Sequence, residues 1–325
     1  MNRRQGLSLL LRLSISGAML AVLIWRVPTI NWSSVLPELT IGSGLWLLLA
    51  AVLTLTALVL SALRWQRVLD VLGLSAGLRR LVSHYLAGQF VSNVLPTTIG
   101  GDVLRVNRLS NDTGEAPSSF ASVVLERLTG WLVLPIISVA GFLLNPALRH
   151  LGRATQVALA LSFLTLTTLA VVLAAVASDR IGGRFGAREG WRRFAAALHL
   201  GLDRLRHQPG AAAHVLVVGF AYQLVLVLAA VAAARALGVQ PAGFTALLAF
   251  FPAVAIAQVL PIGISGLGVR EAAFVLFLTP LGVSAQDAIA LGLLLYLLSL
   301  GVSFLGAPSF AAGSHRAPPA PVAPA

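Results

Sequence analysis

Two short stretches decide how this chain is read: 93-NVLPTTIGGDVLR-105 and 258-QVLPIGISGLGVR-270. Each interrupts an apolar chain with Pro and Gly and ends on Arg. They align without a gap at an offset of 165 residues, 93 to 258. Asn93 faces Gln258, V-L-P faces V-L-P, Ile99 faces Ile264, Gly101 faces Gly266 and Arg105 faces Arg270. At the same offset LGL at 72–74 meets LGV at 237–239, and the apolar run 44–63 meets the run 211–234. Matching elements in the same order predict an internal duplication, with halves at about 44–143 and 209–306.

The chain has 325 residues, of which 58% are hydrophobic and 10% charged, with mean hydropathy +0.89. Soluble domains carry about 25% charged residues. This composition predicts an all-α polytopic membrane protein of about 6–8 transmembrane helices, two of them broken by Pro and Gly. Apolar runs place spans at 7–25, 44–63, 119–143, 154–177, 211–234 and 286–306. The regions 81–100 and 244–281 are interrupted, as re-entrant hairpins or broken spans. Irregular backbone is tolerated at membrane depth only where protein or water covers it. If both breaks are re-entrant, the first spans of the two halves run in opposite directions. That is an inverted repeat, whose broken segments mark the substrate site in many transporters.

Residues 1–310 are read as one integral membrane domain, with an uncleaved first span and a Pro/Ala-rich, disordered tail at 311–325. Residues 178–210 form the longest polar run, too short and too Arg-rich to bury a core of its own. The net charge is +12, every basic residue is Arg, and Cys is absent. Disulfides and thiolate chemistry are therefore excluded. Arg-rich segments at the N-terminus, at 64–80 and at 178–210 fall on one side. That side is the cytoplasm by the positive-inside rule, with Arg149 and Arg153 as exceptions. The placement is multi-pass in a bacterial-type cytoplasmic membrane, N-terminus inside. The arginines follow from that rule, or else hold an anionic lipid through bidentate guanidinium–phosphate contacts. Nucleic acid is not an expected partner.

Pro96 and Pro261 end helices, because the residue before Pro is pushed out of the α region. Gly100, Gly101, Gly266 and Gly268 let the backbone turn and approach a ligand. Asp102 sits where a helix restarts, one turn before Arg105. Glu126 and Arg127 lie two turns into an apolar span, where each costs roughly 2.5–3.5 kcal/mol at mid-bilayer. Arg270 and Glu271 form another acid–base neighbour pair. Three sets result: Arg105 with Asp102, Arg127 with Glu126, and Arg270 with Glu271. Asn93 and Gln258 flank the breaks and complete the candidate substrate-binding set. A capped helix with a local Asp–Arg pair is the plainer account of Asp102. Arg64 and Arg67 read as snorkelling anchors at a span end, and His84 as interfacial. No zinc-protease, P-loop, dinucleotide or nucleophile-elbow motif is present, so no metal or cofactor is expected.

YLAGQFVSNVLPTTIGGDVLRVNRLS, ASVVLERLTGWLVL and LPIGISGLGVREAAFVLF, in that order, resemble the flippase-like membrane domain of lysylphosphatidylglycerol synthetases, the UPF0104 membrane family. The resemblance covers roughly 40–305 and rests on the GGD-x-x-R and E-R-x-x-G elements. It implies an all-helical fold and lipid translocation. It leaves the cargo open between phosphatidylglycerol derivatives and polyprenyl-phosphate lipids. The soluble aminoacyl-transferring domain of the bifunctional members has no counterpart before the Pro/Ala tail, so that reaction is not carried over.

The leading expectation is a flippase-like transporter with Arg105, Arg127 and Arg270 on the phosphate. Glu126 or Glu271 is then available to couple a proton. The alternatives are a membrane-embedded lipid transferase using Asp102 and Glu126, or a non-transporting partner of a lipid-modifying synthase or glycosyltransferase.

Overall fold

Residues 41–72 form a helix because Thr40 and Ser43 close a reciprocal cap at its start, with no Pro or polar run until Gly73. We describe the chain from a computed structural model that covers residues 37, 40–94, 100–177, 192–259, 266–311 and 313. The helices are α1 (Ile41–Leu72), α2 (Leu78–Val94), α3 (Gly100–Thr113), α4 (Ala116–Leu144), α5 (Arg153–Ala177) and α6 (Arg192–His207). They continue as α7 (Pro209–Ala236), α8 (Phe244–Val259), α9 (Val269–Leu278), α10 (Ala285–Phe304) and the short α11 (Ala307–Ala311). The described residues contain no strand, so the all-α class holds. Five helices, α1, α4, α5, α7 and α10, are long and apolar enough to cross a membrane, and they match five of the six expected spans. The span expected at 7–25 lies outside the described residues, as do Pro96, Pro261 and all but Ala311 and Gly313 of the tail.

Helix boundaries recur at the offset of 165. The helix α2 ends at Val94 and α8 at Val259, while α3 ends at Thr113 and α9 at Leu278. Gly73 after α1 and Gly238 after α7 have φ of 75° and 72°, left-handed values that disfavour side chains. The closing bonds correspond as well: Leu74 N–H donates to the Leu69 carbonyl and Val239 N–H to the Ala234 carbonyl, both at 2.9 Å. These are the long bonds of a Schellman cap, which satisfies carbonyls left open at a helix end.

At the centre α1 packs along α7. Arg64, in the last third of α1, lies 5.0 Å from the Tyr222 ring centre and beside Gly219. Val68 and Leu72 share a core with Val215, whereas Ala50 shares one with Val227, Ala230 and Ala234. Residue numbers rise on one helix as they fall on the other, so α1 and α7 are antiparallel.

The outer helices exchange partners around this pair. Gly141 of α4 lies against the backbone of Leu248 and Ala249 in α8, so closely that a Cβ would collide with it. Ser138, one turn earlier, donates to the Ala249 carbonyl at 2.6 Å. At the offset of 165 stand Ser303 and Gly306. Gly306 meets the backbone of Leu86 and Ala87 in α2 as closely as Gly141 meets α8. Small residues at such crossings let backbones approach where no hydrophobic drive separates protein from lipid.

The polar run 178–210 contributes α6, whose apolar face packs on α4 and α1. Gly201 sits against Leu72 and Leu125, and Phe194 meets Phe120 edge-on at 5.4 Å. At the far end, Arg108 of α3 donates to the Ser309 carbonyl at 2.8 Å and fastens α11 to the first half.

Candidate functional site

Arg64, Arg105 and Arg127 converge where α1, α2, α3 and α4 meet. Glu126 is 1% exposed and takes a guanidinium on each oxygen: Arg64 on Oε1 and Arg105 on Oε2 at 3.2 Å. Ser61 adds a hydroxyl to Oε1 at 3.1 Å. Arg105 is sandwiched between Trp65 and Tyr85, with ring centres at 4.3 and 4.2 Å. A desolvated cation over an aromatic face is worth about 2 kcal/mol or more. Gly130, one turn beyond Glu126, leaves the space that the Arg64 guanidinium fills.

Glu126 and Arg127 are neighbours in sequence but not a pair, since adjacent residues on a helix point about 100° apart. Arg127 instead binds Asp102, at 2.8 Å to Oδ2 and 2.9 Å to Oδ1. Asp102 also holds Arg105 at 3.3 Å. The GGD-x-x-R and E-R-x-x-G elements are therefore cross-linked: the Asp of one takes the Arg of the other, and the Glu takes the remaining Arg. The expected Arg270–Glu271 pair fails for the same geometric reason. Glu271 turns back to accept the Gly268 N–H at 2.6 Å, capping α9. Arg270 donates to Gln258 Oε1 at 2.8 Å and to the Gly292 carbonyl at 3.4 Å, and it lies 5.5 Å from the Tyr296 ring.

A cavity of about 380 Å³ opens between the halves. Gln89, Asn93 and Arg127 face it from the first half, and Tyr222, Gln258, Gly266 and Arg270 from the second. Asn93 also reaches the Ser299 carbonyl at 3.3 Å, which ties α2 to α10. Of the residues the sequence nominates, Asn93, Arg127, Gln258 and Arg270 line this cavity. Arg105, Glu126 and Glu271 do not: they are buried behind it, committed to neutralising or capping contacts.

The glycines divide as well. Gly266 and Gly268 have φ of 74° and 82° and do make a turn, which opens α9 beneath Gln258. Gly100 and Gly101 are already in α3 rather than in a turn. Gly101 is needed for contact, because a Cβ there would strike the Gly88 carbonyl and the Ser92 hydroxyl.

Arg64 is the chief correction. It is no snorkelling anchor: α1 continues past residue 63 and carries it into the protein, where it is 4% exposed. The signal was present in Trp65, Val68, Leu69 and Leu72, an apolar stripe that keeps helical spacing beyond the point where hydropathy falls. His84 is buried too, with Nε2 2.7 Å from Asp112. Tyr85, Gln89 and Tyr222 carried no recognisable sequence signal.

The model of the family described as the lysylphosphatidylglycerol synthase TM region matches residues 9–306. The chain belongs to this family. Membership makes it a membrane protein tied to lipid modification or flipping. No curated protein matches the chain. Within this family member, the GGD-x-x-R and E-R-x-x-G elements are the two sides of one ionic crossing, buried at Arg105–Glu126 and reaching the cavity at Arg127.

Proposed function

We propose that the chain translocates a lipid phosphate across a bacterial-type cytoplasmic membrane, with the head group in the cavity between the halves. One observation carries the reading. Arg127 and Arg270, from opposite halves, face one polar cavity that is otherwise walled by apolar helices. Guanidinium groups are suited to phosphate by charge and by planar donor geometry. The matched helix ends, the antiparallel α1–α7 pair and the reciprocal Gly141 and Gly306 contacts support an inverted duplication, the layout that permits alternating access. The N-terminus lies in the cytoplasm in this reading. The cargo is an anionic phospholipid or a polyprenyl-phosphate lipid, passed to or from a lipid-modifying enzyme.

The transferase alternative requires Asp102 and Glu126 as base or metal ligand, and Asp102 is paired with Arg127 and Arg105. Both Glu126 oxygens likewise carry a guanidinium, which disfavours either role for the two carboxylates.

The test is transbilayer movement of fluorescent phosphatidylglycerol in proteoliposomes, read by dithionite quenching. The wild-type chain accelerates it. Arg127→Gln or Arg270→Gln slows it about 10–100-fold, the loss of one charge-assisted hydrogen bond of roughly 1.5–3 kcal/mol. No acceleration for any anionic or polyprenyl-phosphate lipid would sink the reading.

A further inference from the structure

Arg127 borders two spaces at once. One is the polar cavity. The other is a groove of about 810 Å³ between α3 and the first half of α4, walled by Val103, Val106, Phe120, Val124 and Trp131. It has about twice the volume of the 380 Å³ cavity. Val259 and Arg127 line both spaces, so groove and cavity adjoin at the Arg127 side chain. Asp102 stands at that junction on the groove side, bound to Arg127.

We propose that the groove holds the hydrocarbon of the same lipid whose phosphate enters the cavity, and that Asp102 is the latch this phosphate displaces from Arg127. The inference rests on the translocation reading above. Its first support is proportion: a larger apolar space and a smaller polar one on either side of one cation match an amphiphile, and a free phosphate would leave the groove unfilled. The second is position. Val103 is 60% exposed and Phe120 38%, and α4 is long and apolar enough to cross a membrane, so the groove opens at the outer surface of a helix suited to contact lipid. The third is charge. A phosphodiester and a carboxylate are both monoanions that bind guanidinium bidentately, so the exchange conserves charge at the junction. Asp102 has somewhere to go, because Arg105 already holds it at 3.3 Å. A zwitterionic head group would bring its own cation toward Arg270, and like charges brought together discriminate against it.

The chain has no cysteine, so Val124→Cys offers a single site in the groove for a bimane label. The protein is placed in phosphatidylcholine nanodiscs containing brominated-chain phosphatidylglycerol or, separately, brominated-chain phosphatidylcholine. At equal mole fraction, brominated phosphatidylglycerol quenches at least twofold more. Asp102→Asn moves its titration midpoint several-fold lower, and Arg127→Gln erases the preference. Soluble glycerol phosphate leaves the label unaffected. A Val103→Cys label repeats the reading if the first variant folds poorly.

Equal quenching by the two lipids overturns the groove assignment, as does crosslinking of the Val124→Cys thiol to residues 7–25. Unchanged or weaker phosphatidylglycerol preference in Asp102→Asn overturns the latch. Persistent lipid translocation in proteoliposomes with equal quenching removes this inference alone. Preferential quenching without translocation removes the transport reading and leaves the groove site.

Discussion

The two halves place the same helices around different chemistry. At the offset of 165, Arg64, Arg105 and Glu126 of the first half correspond to Ala229, Arg270 and Leu291 of the second. The first half holds its arginine in a buried ionic crossing. The second has an apolar core at the same place, with Ala229 and Leu291 at most 1% exposed, and its arginine is held by an amide and a carbonyl oxygen at the cavity wall. Matched helices can thus keep one backbone architecture while one copy buries its arginine in an ionic lock and the other leaves its arginine at the cavity wall. Arg105 and Arg270 look equivalent in sequence, yet only Arg270 reaches the cavity.

The largest effect is expected from giving the first half the residue of the second. Glu126→Leu leaves Arg64 and Arg105 buried around a lost carboxylate. Removing one member of a buried ion pair costs about 3–5 kcal/mol. Thermal unfolding in detergent, with size-exclusion monodispersity alongside, should show a variant that is strongly destabilised or does not accumulate. Adding Arg64→Ala, the Ala229 pattern, should recover part of the loss, with a coupling of about 0.5–3 kcal/mol. Strict additivity of the two substitutions would break the contrast drawn between the halves.

The glycine exchange tests what the halves share. Gly141→Ala and Gly306→Ala each force a methyl group into the opposing backbone. Overpacking of this kind costs about 1–3 kcal/mol, read as lower unfolding temperatures in the same assay. The two losses should be similar. If Gly306→Ala is neutral while Gly141→Ala is not, the reciprocal packing is not a shared device.

The fold was legible because helix-period apolar runs and Pro/Gly breaks act locally. The span limits at 119–143 and 154–177 lie within a few residues of α4 and α5. The site was half legible. Arg127 and Arg270 stand out because charge is costly in an apolar run, but cost alone does not choose the partner. Adjacent acids looked like partners, whereas helix geometry sent Arg127 to Asp102 and Glu271 to its own helix cap. The Arg127–Asp102 pairing depends on how α3 packs on α4, a tertiary fact that no single stretch encodes, whereas the Glu271 contact is local to the start of α9. Gly101 illustrates the same limit: it read as a turn residue, and it serves a contact with Gly88.

The smallest effect sharpens the comparison within one helix. Arg64 and Arg67 are one turn apart on α1, and hydropathy alone treats them alike; only Arg64 keeps the i, i+4, i+8 register with Val68 and Leu72. Arg67 pairs with Asp70 at 3.4 Å, with both side chains about half exposed, 48% and 51%. Exposed pairs at this spacing contribute about 0.3–0.5 kcal/mol, so Arg67→Ala should barely shift the unfolding temperature. Arg64→Ala should shift it severalfold more, because it leaves the fully buried Glu126 with one cation instead of two. High salt should erase the Arg67→Ala difference and leave that of Arg64→Ala, since screening reaches exposed charges far better than buried ones. Equal responses would mean that the interior crossing carries no more weight than a surface pair, and the distinction between a half locked by buried charge and a half with an apolar core would lose its energetic basis.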